Sequence, residues 1–320
     1  MKSKYVNPFT DFGFKKLFGE EANKHLLIDF LNQLLPPQHQ IHDLFYKKTE
    51  QLGSRELDRK AIFDLYCESQ EGHKFIVELQ KAKQNFFKDR SVFYATFPIR
   101  EQAERGEWNY QLQPVYCIAL LDFVFEETYS ERYLQQVQLR NEVCEVFYDK
   151  LTFIFIEMPR FKKKLDELNS HFDKWLYFIK HLENFDDIPQ DLRESIFEQA
   201  FAVAEIACFN SQQLEEYENS LKYYRDLKNV IDTAASEAEE RGIEIGEKRG
   251  IEIGEKRGIE IGKEQGVGIG VEIGKEQEKH QRIQIALQQG VLTPSQIASL
   301  FDVDEQLVLS LIHVTPPENL

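Results

Sequence analysis

The sequence predicts an open α/β sheet buried on both faces, followed by a second half that is almost entirely helical. Three observations predict it: strand and helix patterns alternate in the first half, residues 113–125 are apolar for the length of a buried strand, and helical patterns dominate after Arg160. The 320 residues are 42% hydrophobic and 29% charged, a composition typical of a globular core with an appendage.

The first half contains the elements of the predicted sheet. Apolar spacing indicates helices, and short runs of β-branched and aromatic residues between turn signals indicate strands. In chain order they are a helix at 20–35 that Pro36 ends, a strand at 41–48, strands at 61–68 and 74–80 joined as a hairpin by the turn QEGH, a helix at 81–105 that Pro98 kinks or divides, and the strand at 113–125.

Two further strands are predicted at 142–148 and 151–157, and helices follow. Between Arg241 and Gly274 glycine recurs at every fourth position within an RGIEIGEK repeat. Nine glycines at about 1 kcal/mol each would melt an isolated helix, so the repeat is either a self-association stalk or a linker of variable length. The tail at 279–313 resembles three short helices, which is typical of a helix-turn-helix but also of any small helical cap.

The formal net charge is −16, but the excess acid lies entirely beyond residue 125. Residues 1–125 carry 17 Lys+Arg and 17 Asp+Glu, and the stretch from Lys81 to Arg105 is locally basic. The acidity therefore does not exclude a nucleic-acid partner. The chain has no apolar run of membrane-spanning length, no signal-peptide pattern and four widely spaced cysteines, so we expect a cytoplasmic protein without a disulfide framework or zinc site.

The hairpin holds the residues that indicate chemistry. Asp64 lies within the first strand and Glu78 near the end of the second, both among apolar neighbours, where an unpaired carboxylate is costly. Two carboxylates on adjacent strands could share a divalent cation such as Mg²⁺, and Gln80 lies on the same face as Glu78. The alternative is that both acids face solvent on an amphipathic hairpin. The aromatic residues between Phe86 and Phe97 are more typical of a core than of a base-stacking platform.

With helix–three strands–helix–strand order, the pattern D–x13–ExQ resembles the PD-(D/E)xK nuclease superfamily. The chain is similar, more closely, to its Rpn-type members, which are known as recombination-promoting nucleases or transposases. The resemblance covers nearly the whole chain, through the stretches DFGFKKLFG, FDLYC, FIVELQ, the segment 90–94, ERGEWNYQLQPVYCIALLDF, LTFIFIEMPRF, YYRDLKNVIDTA and the glycine repeat.

The resemblance implies a role for each matching residue. Asp64 and Glu78 would be the metal-binding acids, with Asp11 as a candidate third ligand from the first helix and Glu21 as its competitor. Gln80 would be catalytic, although it stands where the superfamily has lysine and offers only hydrogen bonds. Lys81, on the other face of a regular strand, or Lys83, beyond its end, could supply the missing charge only through a bulge or a helical reach. The candidates for contacts with DNA phosphates are Lys81, Lys83, Lys88 and Arg90.

The expected function is Mg²⁺-dependent hydrolysis of DNA phosphodiester bonds, linked to recombination or transposition, with Mn²⁺ as an alternative ion. The competing expectation is a catalytically weak or inactive relative that acts as an oligomeric regulatory or assembly module. A third interpretation is a DNA-binding protein that uses its tail. We expect no membrane association, no organic cofactor, and a homo-oligomer formed through the C-terminal half. The predicted divisions are a nuclease-like domain at 1–160, a helical region at 161–235, the repeat at 236–279 and the tail at 280–320.

Overall fold

The computed structural model describes residues 3–51, 61–103, 108–124 and 132–312. The chain forms two compact units, Met1–Thr233 and Ala234–Leu320. The four divisions expected from the sequence remain predictions.

The α-helices of the chain are α1 (Asp11–Phe18), α2 (Lys24–Asn32), α3 (Phe87–Glu101), α4 (His171–His181), α5 (Ser195–Ala204), α6 (Ser211–Gln289), α7 (Pro294–Phe301) and α8 (Glu305–Ile312). Its strands are β1 (Leu44–Tyr46), β2 (Glu50–Gln51), β3 (Ala61–Ile62), β4 (Leu65–Ser69), β5 (Lys74–Gln80), β6 (Val115–Leu121), β7 (Leu134–Arg140) and β8 (Val146–Glu157).

Six strands form one mixed sheet in the order β1-β4-β5-β6-β8-β7. The pairs β5–β6 and β6–β8 are parallel, whereas β1–β4, β4–β5 and β7–β8 are antiparallel. β2 and β3 form a separate two-stranded ladder. The α/β core and the mostly helical second half that were predicted from the sequence are confirmed.

The sheet is buried on both faces, because successive side chains of its central strands point to opposite sides. Val77 and Leu79 of β5 belong to the larger core, which also holds side chains of α1, α2, α4 and α5. Ile76 of the same strand packs on the other face with Phe87 and Phe97 of α3. Because side chains alternate along the strand, Glu78 and Gln80 lie on the same face of the sheet as Ile76, and Leu79 lies on the face of the larger core.

Some predicted boundaries are wrong, and each error has a physical reason. β8 is a single strand across the two predicted at 142–148 and 151–157, because its first half extends beyond β6 and pairs only with β7. β7 itself (LQQVQLR) was not predicted, since an exposed edge strand lacks the apolar run of a buried one. α3 begins only at Phe87, and Pro98 lies inside it. The predicted ends at Arg105 and Phe125 lie outside the described residues.

α1 was not predicted as a helix, although its capping signal is present. The Thr10 side chain accepts a hydrogen bond from the Gly13 amide at 2.9 Å, which satisfies one of the free donors at the helix start. A Cβ at Gly13 would lie 2.2 Å from the carbonyl oxygen of Asn7, so only glycine fits there. This close approach fixes the first turn of the helix that carries Asp11.

The glycine repeat lies within the continuous helix α6. A Cβ added at any repeat glycine would meet no atom within 4 Å, and the isoleucines between them are about half exposed. The last turns of α6 pack with α7 and α8 around Ile283, Ile297 and Val308. The tail thus has the two predicted short helices, but the first predicted one is the end of α6. No helix among the described residues has the length and apolarity needed to cross a membrane.

Candidate active site

Asp64 lies where the pairing of β4 with β5 ends. β3 ends at Ile62 and β4 begins at Leu65, so Asp64 lies between two strands. The prediction that Asp64 lies inside the first strand of the hairpin was wrong. Its Oδ2 accepts a hydrogen bond from the Leu79 amide at 2.7 Å. The Asp64 side chain thus takes the place of the backbone carbonyl that would accept this bond in a continued strand pair. In return, the Asp64 amide donates to Oε1 of Glu78 at 3.3 Å. Each carboxylate is therefore held by the backbone of the opposite strand.

The structure brings the two predicted acids together in a poorly solvated position. Burial, followed by the negative charge of Asp64, raises the pKa of Glu78 to about 8. Burial also raises the pKa of Asp64, while the hydrogen bond from the Leu79 amide opposes that shift. Among the described residues, no lysine, arginine or histidine forms an ion pair with either carboxyl group. When both carboxyl groups are ionised, no described residue neutralises their charge by direct contact.

Gln80 shares a face with Glu78, but both ends of its amide have partners. Its Oε1 accepts a hydrogen bond from the guanidinium of Arg90, and its Nε2 donates to the carbonyl of Ala82 at 3.0 Å. The Arg90 guanidinium also lies 5.5 Å from the ring centroid of Phe87 and 5.4 Å from that of Tyr94. Gln80 thus holds a fixed cation beside the end of β5, and the charge of Arg90 lowers the pKa of Glu78 against the effect of burial.

Lys81 follows directly after the last residue of β5. Its Nζ lies 5.7 Å from the ring centroid of Tyr223. Burial lowers the pKa of Lys81, whereas the charges of Asp11 and Asp64 oppose that shift. The Lys81 ammonium is consequently within electrostatic reach of Asp11 and Asp64. The alternation of side chains along a strand had placed Lys81 on the face opposite to Glu78 and Gln80.

An open cleft of about 700 Å³ adjoins Asp64. Asp11 and Lys15 of α1 line it and form an ion pair at 3.0 Å, so Asp11 already has a cationic partner. Glu21, the competing first-helix acid, pairs with Lys24 at 2.9 Å and is not among the residues that line the cleft.

One wall of the cleft comes from the beginning of α6 and was missed by sequence analysis. Glu216, Asn219 and Ser220 line the cleft, and Ser220 Oγ accepts a hydrogen bond from the Phe12 amide at 3.1 Å. One turn later the Tyr224 hydroxyl donates to Asp122 at 2.7 Å. No local pattern marks these residues, because their partners lie 102 and 208 positions away in the chain.

The remaining candidates for DNA contact lie around the loop between β5 and α3. Lys83 precedes α3, and Lys88 and Arg90 lie in its first turn. The aromatic residues nearby do not all behave as core. Phe87 and Phe97 are buried as predicted, whereas Phe86 is 80% exposed, so the prediction was wrong for that residue.

The donor set fits a hard divalent cation that keeps part of its water shell. No group of three or more potential ligand side chains gathers anywhere among the described residues. Asp64 and Glu78 nevertheless offer carboxylate oxygens within electrostatic reach of each other, with no counter-ion among the described residues. Mg²⁺ is commonly bound by only one or two carboxylates together with water and substrate phosphate. These two residues would hold such an ion.

Comparisons with known proteins identify the family. The model of the PD-(D/E)XK nuclease family transposases matches residues 8–234, a range that includes the sheet, the paired acids and the cleft wall. The chain is also similar to the DNA replication checkpoint protein tel2 of Schizosaccharomyces pombe, with 26% identity over 258 residues that cover 70% of this chain. The match spans only 28% of the length of that relative. No solved structure matches the chain.

Proposed function

The chain belongs to the PD-(D/E)XK nuclease family transposases, and we propose that it is a Mg²⁺-dependent DNA endonuclease that hydrolyses phosphodiester bonds. Mn²⁺ is the alternative ion. Family membership establishes a nuclease- or transposase-related function. The metal dependence, the endonucleolytic reaction and the link to recombination are our proposal.

The observation that carries the proposal is a pair of half-buried acids that have no counter-ion among the described residues. Asp64 and Glu78 repel each other in a poorly solvated position, and burial raises the pKa of Glu78 to about 8. A chain gains no stability from such an arrangement unless a cation occupies it. Asp64 also borders the open cleft, and an acid with a perturbed pKa in such a position is typical of a functional site.

In this mechanism the chain holds and orients the reacting groups. Backbone amides at Leu79 and Asp64 fix the two carboxylates, so they are ordered before substrate binds. A divalent cation bound there would polarise the scissile phosphate and lower the pKa of a water molecule. Gln80 acts mainly by holding Arg90, while the half-buried ammonium of Lys81 supplies positive charge on the side of Asp64. Lys81 is thus our candidate for the charge that the motif lacks at Gln80.

We assign the phosphate contacts to the basic segment that leads into α3. Lys81, Lys83, Lys88 and Arg90 lie within ten residues, with Asp89 as the one acid among them. Lysine contacts to phosphates do not depend on base sequence, so this segment would position DNA without selecting a target. A location in the cytoplasm beside chromosomal DNA is part of the same proposal.

A supercoiled-plasmid assay tests the function. The purified chain should nick the plasmid with Mg²⁺ and not with EDTA. The substitutions Asp64→Ala and Glu78→Ala should each abolish nicking, and the isosteric Asp64→Asn and Glu78→Gln should do the same while preserving the fold by circular dichroism. Glu142→Ala, which alters an exposed acid on a distant hairpin, is the matched control and should nick normally. Undiminished nicking by either site variant would reject the assignment.

A second candidate function is a catalytically weak assembly or regulatory module. It is favoured by the engagement of the Gln80 amide with Arg90 and Ala82, which leaves that residue poorly placed to orient a water molecule. Absence of nicking by the native chain under all divalent ions tested would favour this candidate over the endonuclease.

We also propose that the C-terminal half forms a homo-oligomer through the glycine repeat. Within one chain no atom lies where the missing Cβ atoms would be, yet each glycine costs about 1 kcal/mol of helix stability relative to alanine. Close approach of a second helix would explain both facts. The variant Gly246→Ala/Gly254→Ala/Gly262→Ala should be more helical but should dissociate in analytical ultracentrifugation. An unchanged sedimentation coefficient would remove the proposed role, as would an unchanged oligomeric state after truncation at Ala235.

A further inference from the structure

Phe86 combines two properties that do not serve the stability of the fold. Its side chain is 80% exposed, so it contributes little buried apolar area. Its backbone has φ 59° and ψ 31°, the left-handed conformation that aromatic residues rarely adopt. Glycine would occupy this position at lower cost in free energy. Such an outlier points to a role outside folding.

The position of Phe86 links it to the candidate active site. It is the N-cap residue of α3, and its carbonyl accepts a hydrogen bond from the Arg90 amide at 2.9 Å. The guanidinium of Arg90 is in turn hydrogen-bonded to Gln80 at the end of β5. Phe86 is therefore held one helical turn from the residue that is anchored beside Glu78.

The sequence around Phe86 is basic, although residues 1–125 as a whole carry equal numbers of basic and acidic residues. Lys83 and Lys88 flank Phe86 in sequence, and Asp89 is the one acid between residues 81 and 90. An exposed aromatic ring among lysines is the combination that binds single-stranded nucleic acid, because the ring stacks on a base while the ammonium groups contact phosphates. The buried rings of Phe87 and Phe97 cannot take this role.

We infer that Phe86 stacks on an unpaired nucleobase of the DNA that enters the site, and so gives the enzyme a preference for locally single-stranded substrate. The inference rests on the proposed endonuclease function and deepens it. Phe86 is a positioning residue here, since it would hold the strand beside the acids without touching the reacting phosphate.

Binding of a fluorescein-labelled 20-nucleotide oligo-dT tests the inference in EDTA, where cleavage does not interfere. Phe86→Ala and Phe86→Gly should weaken binding at least about fivefold, whereas Phe86→Trp should bind as tightly as the native chain. Phe147→Ala is the matched control, because Phe147 is 79% exposed on β8, and it should bind normally. Affinity for a fully paired duplex should change less, since its bases are not accessible.

Two further readouts distinguish stacking from general damage. A single strand containing 2-aminopurine should lose fluorescence on binding to the native chain, and Phe86→Ala should remove that quenching. Lys83→Ala should reduce the slope of log affinity against log salt by about one, while Phe86→Ala should leave the slope unchanged. Phe86→Gly should melt no lower than the native chain, because it relieves the left-handed strain.

The outcomes separate this inference from the proposed function. Weaker, unquenched binding by Phe86→Ala in a chain that never nicks DNA would support stacking and reject the endonuclease. Normal nicking by the native chain together with native-like single-strand binding by Phe86→Ala would overturn the stacking inference alone. Failure of the native chain to bind DNA at all would overturn both.

Discussion

Asp173 and Glu78 are two poorly solvated acids in the same unit, and their hydrogen-bond and charge partners differ. Asp173 in the first turn of α4 receives hydrogen bonds from Lys163 at 2.7 Å and from the Tyr133 hydroxyl at 2.9 Å. Burial would raise the pKa of Asp173, but hydrogen bonds from Lys163, Tyr133 and other donors outweigh it and lower the pKa below its ordinary value. No cation among the described residues forms an ion pair with Glu78, and burial raises its pKa.

The difference separates a structural acid, Asp173, from an acid that we propose to be functional, Glu78. A buried carboxylate that is fully hydrogen-bonded and paired contributes to the fold, whereas a pair of unneutralised carboxylates reduces stability and leaves room for a ligand. Substitutions at the two places should therefore change stability with opposite signs.

The largest effect on stability is expected from Asp173→Ala. It removes the acceptor for Lys163 and Tyr133 and leaves a partly buried ammonium without its partner, so the free energy of unfolding should fall by about 2–3 kcal/mol. Urea denaturation followed by circular dichroism measures this. An unchanged transition midpoint would show that Asp173 is not a structural acid.

Glu78→Gln should instead stabilise the chain, by about 1–2 kcal/mol at pH 8.5 with EDTA present. The substitution removes a buried negative charge beside Asp64, and the amide oxygen can still accept the hydrogen bond from the Asp64 backbone. The same variant should be inactive in plasmid nicking. Loss of stability in this variant would contradict the contrast between the two acids.

The pH dependence should also differ in sign. Folding lowers the pKa of Asp173, so the ionised carboxylate stabilises the native chain above about pH 4. This stabilisation, which Asp173→Asn lacks, disappears as the pH falls through the pKa of Asp173 in the folded chain. Folding raises the pKa of Glu78 to about 8. Between the ordinary pKa of a glutamate and pH 8, Glu78 is therefore protonated in the folded, metal-free chain but ionised in the unfolded chain. The advantage of Glu78→Gln should consequently grow from pH 5 to pH 8.5. Parallel pH profiles for the two variants would contradict this.

Asp122 is intermediate between the two acids and should give the smallest effect. Burial raises its pKa, while one hydrogen bond from the Tyr224 hydroxyl opposes that shift. Tyr224→Phe removes this bond and should lower the free energy of unfolding by about 1 kcal/mol. Tyr223→Phe, on the neighbouring exposed ring, is the matched control and should leave the denaturation curve unchanged.

Sequence reasoning located the strands of the site but not the directions of its side chains. β5 was predicted with its observed bounds, because KFIVELQ is a strong strand pattern between a turn and a basic segment. The nearness of Asp64 and Glu78 followed from the hairpin. The end of the β4–β5 pairing at Asp64 was not predicted, since it depends on a side chain that takes the place of a backbone acceptor.

The residues that sequence reasoning missed depend on contacts distant in the chain. The α6 wall of the cleft is held by hydrogen bonds across more than 100 positions, and no local periodicity encodes them. The exposure of Phe86 was missed for the opposite reason. Its neighbours Phe87 and Phe97 are true core residues, and composition alone could not distinguish them from a ring in a left-handed N-cap position.

The reciprocal hydrogen bonds between Asp64 and the second hairpin strand have a consequence for folding. Because each carboxylate is seated on the opposite backbone, the correct alignment of β4 with β5 and the assembly of the acidic pair are one event. A hairpin displaced by one residue would turn Glu78 toward the other layer and lose both bonds. The correct strand alignment is thus stabilised by the same two carboxylates that we propose to be functional, and a chain with a well-formed central sheet carries a well-formed acidic pair.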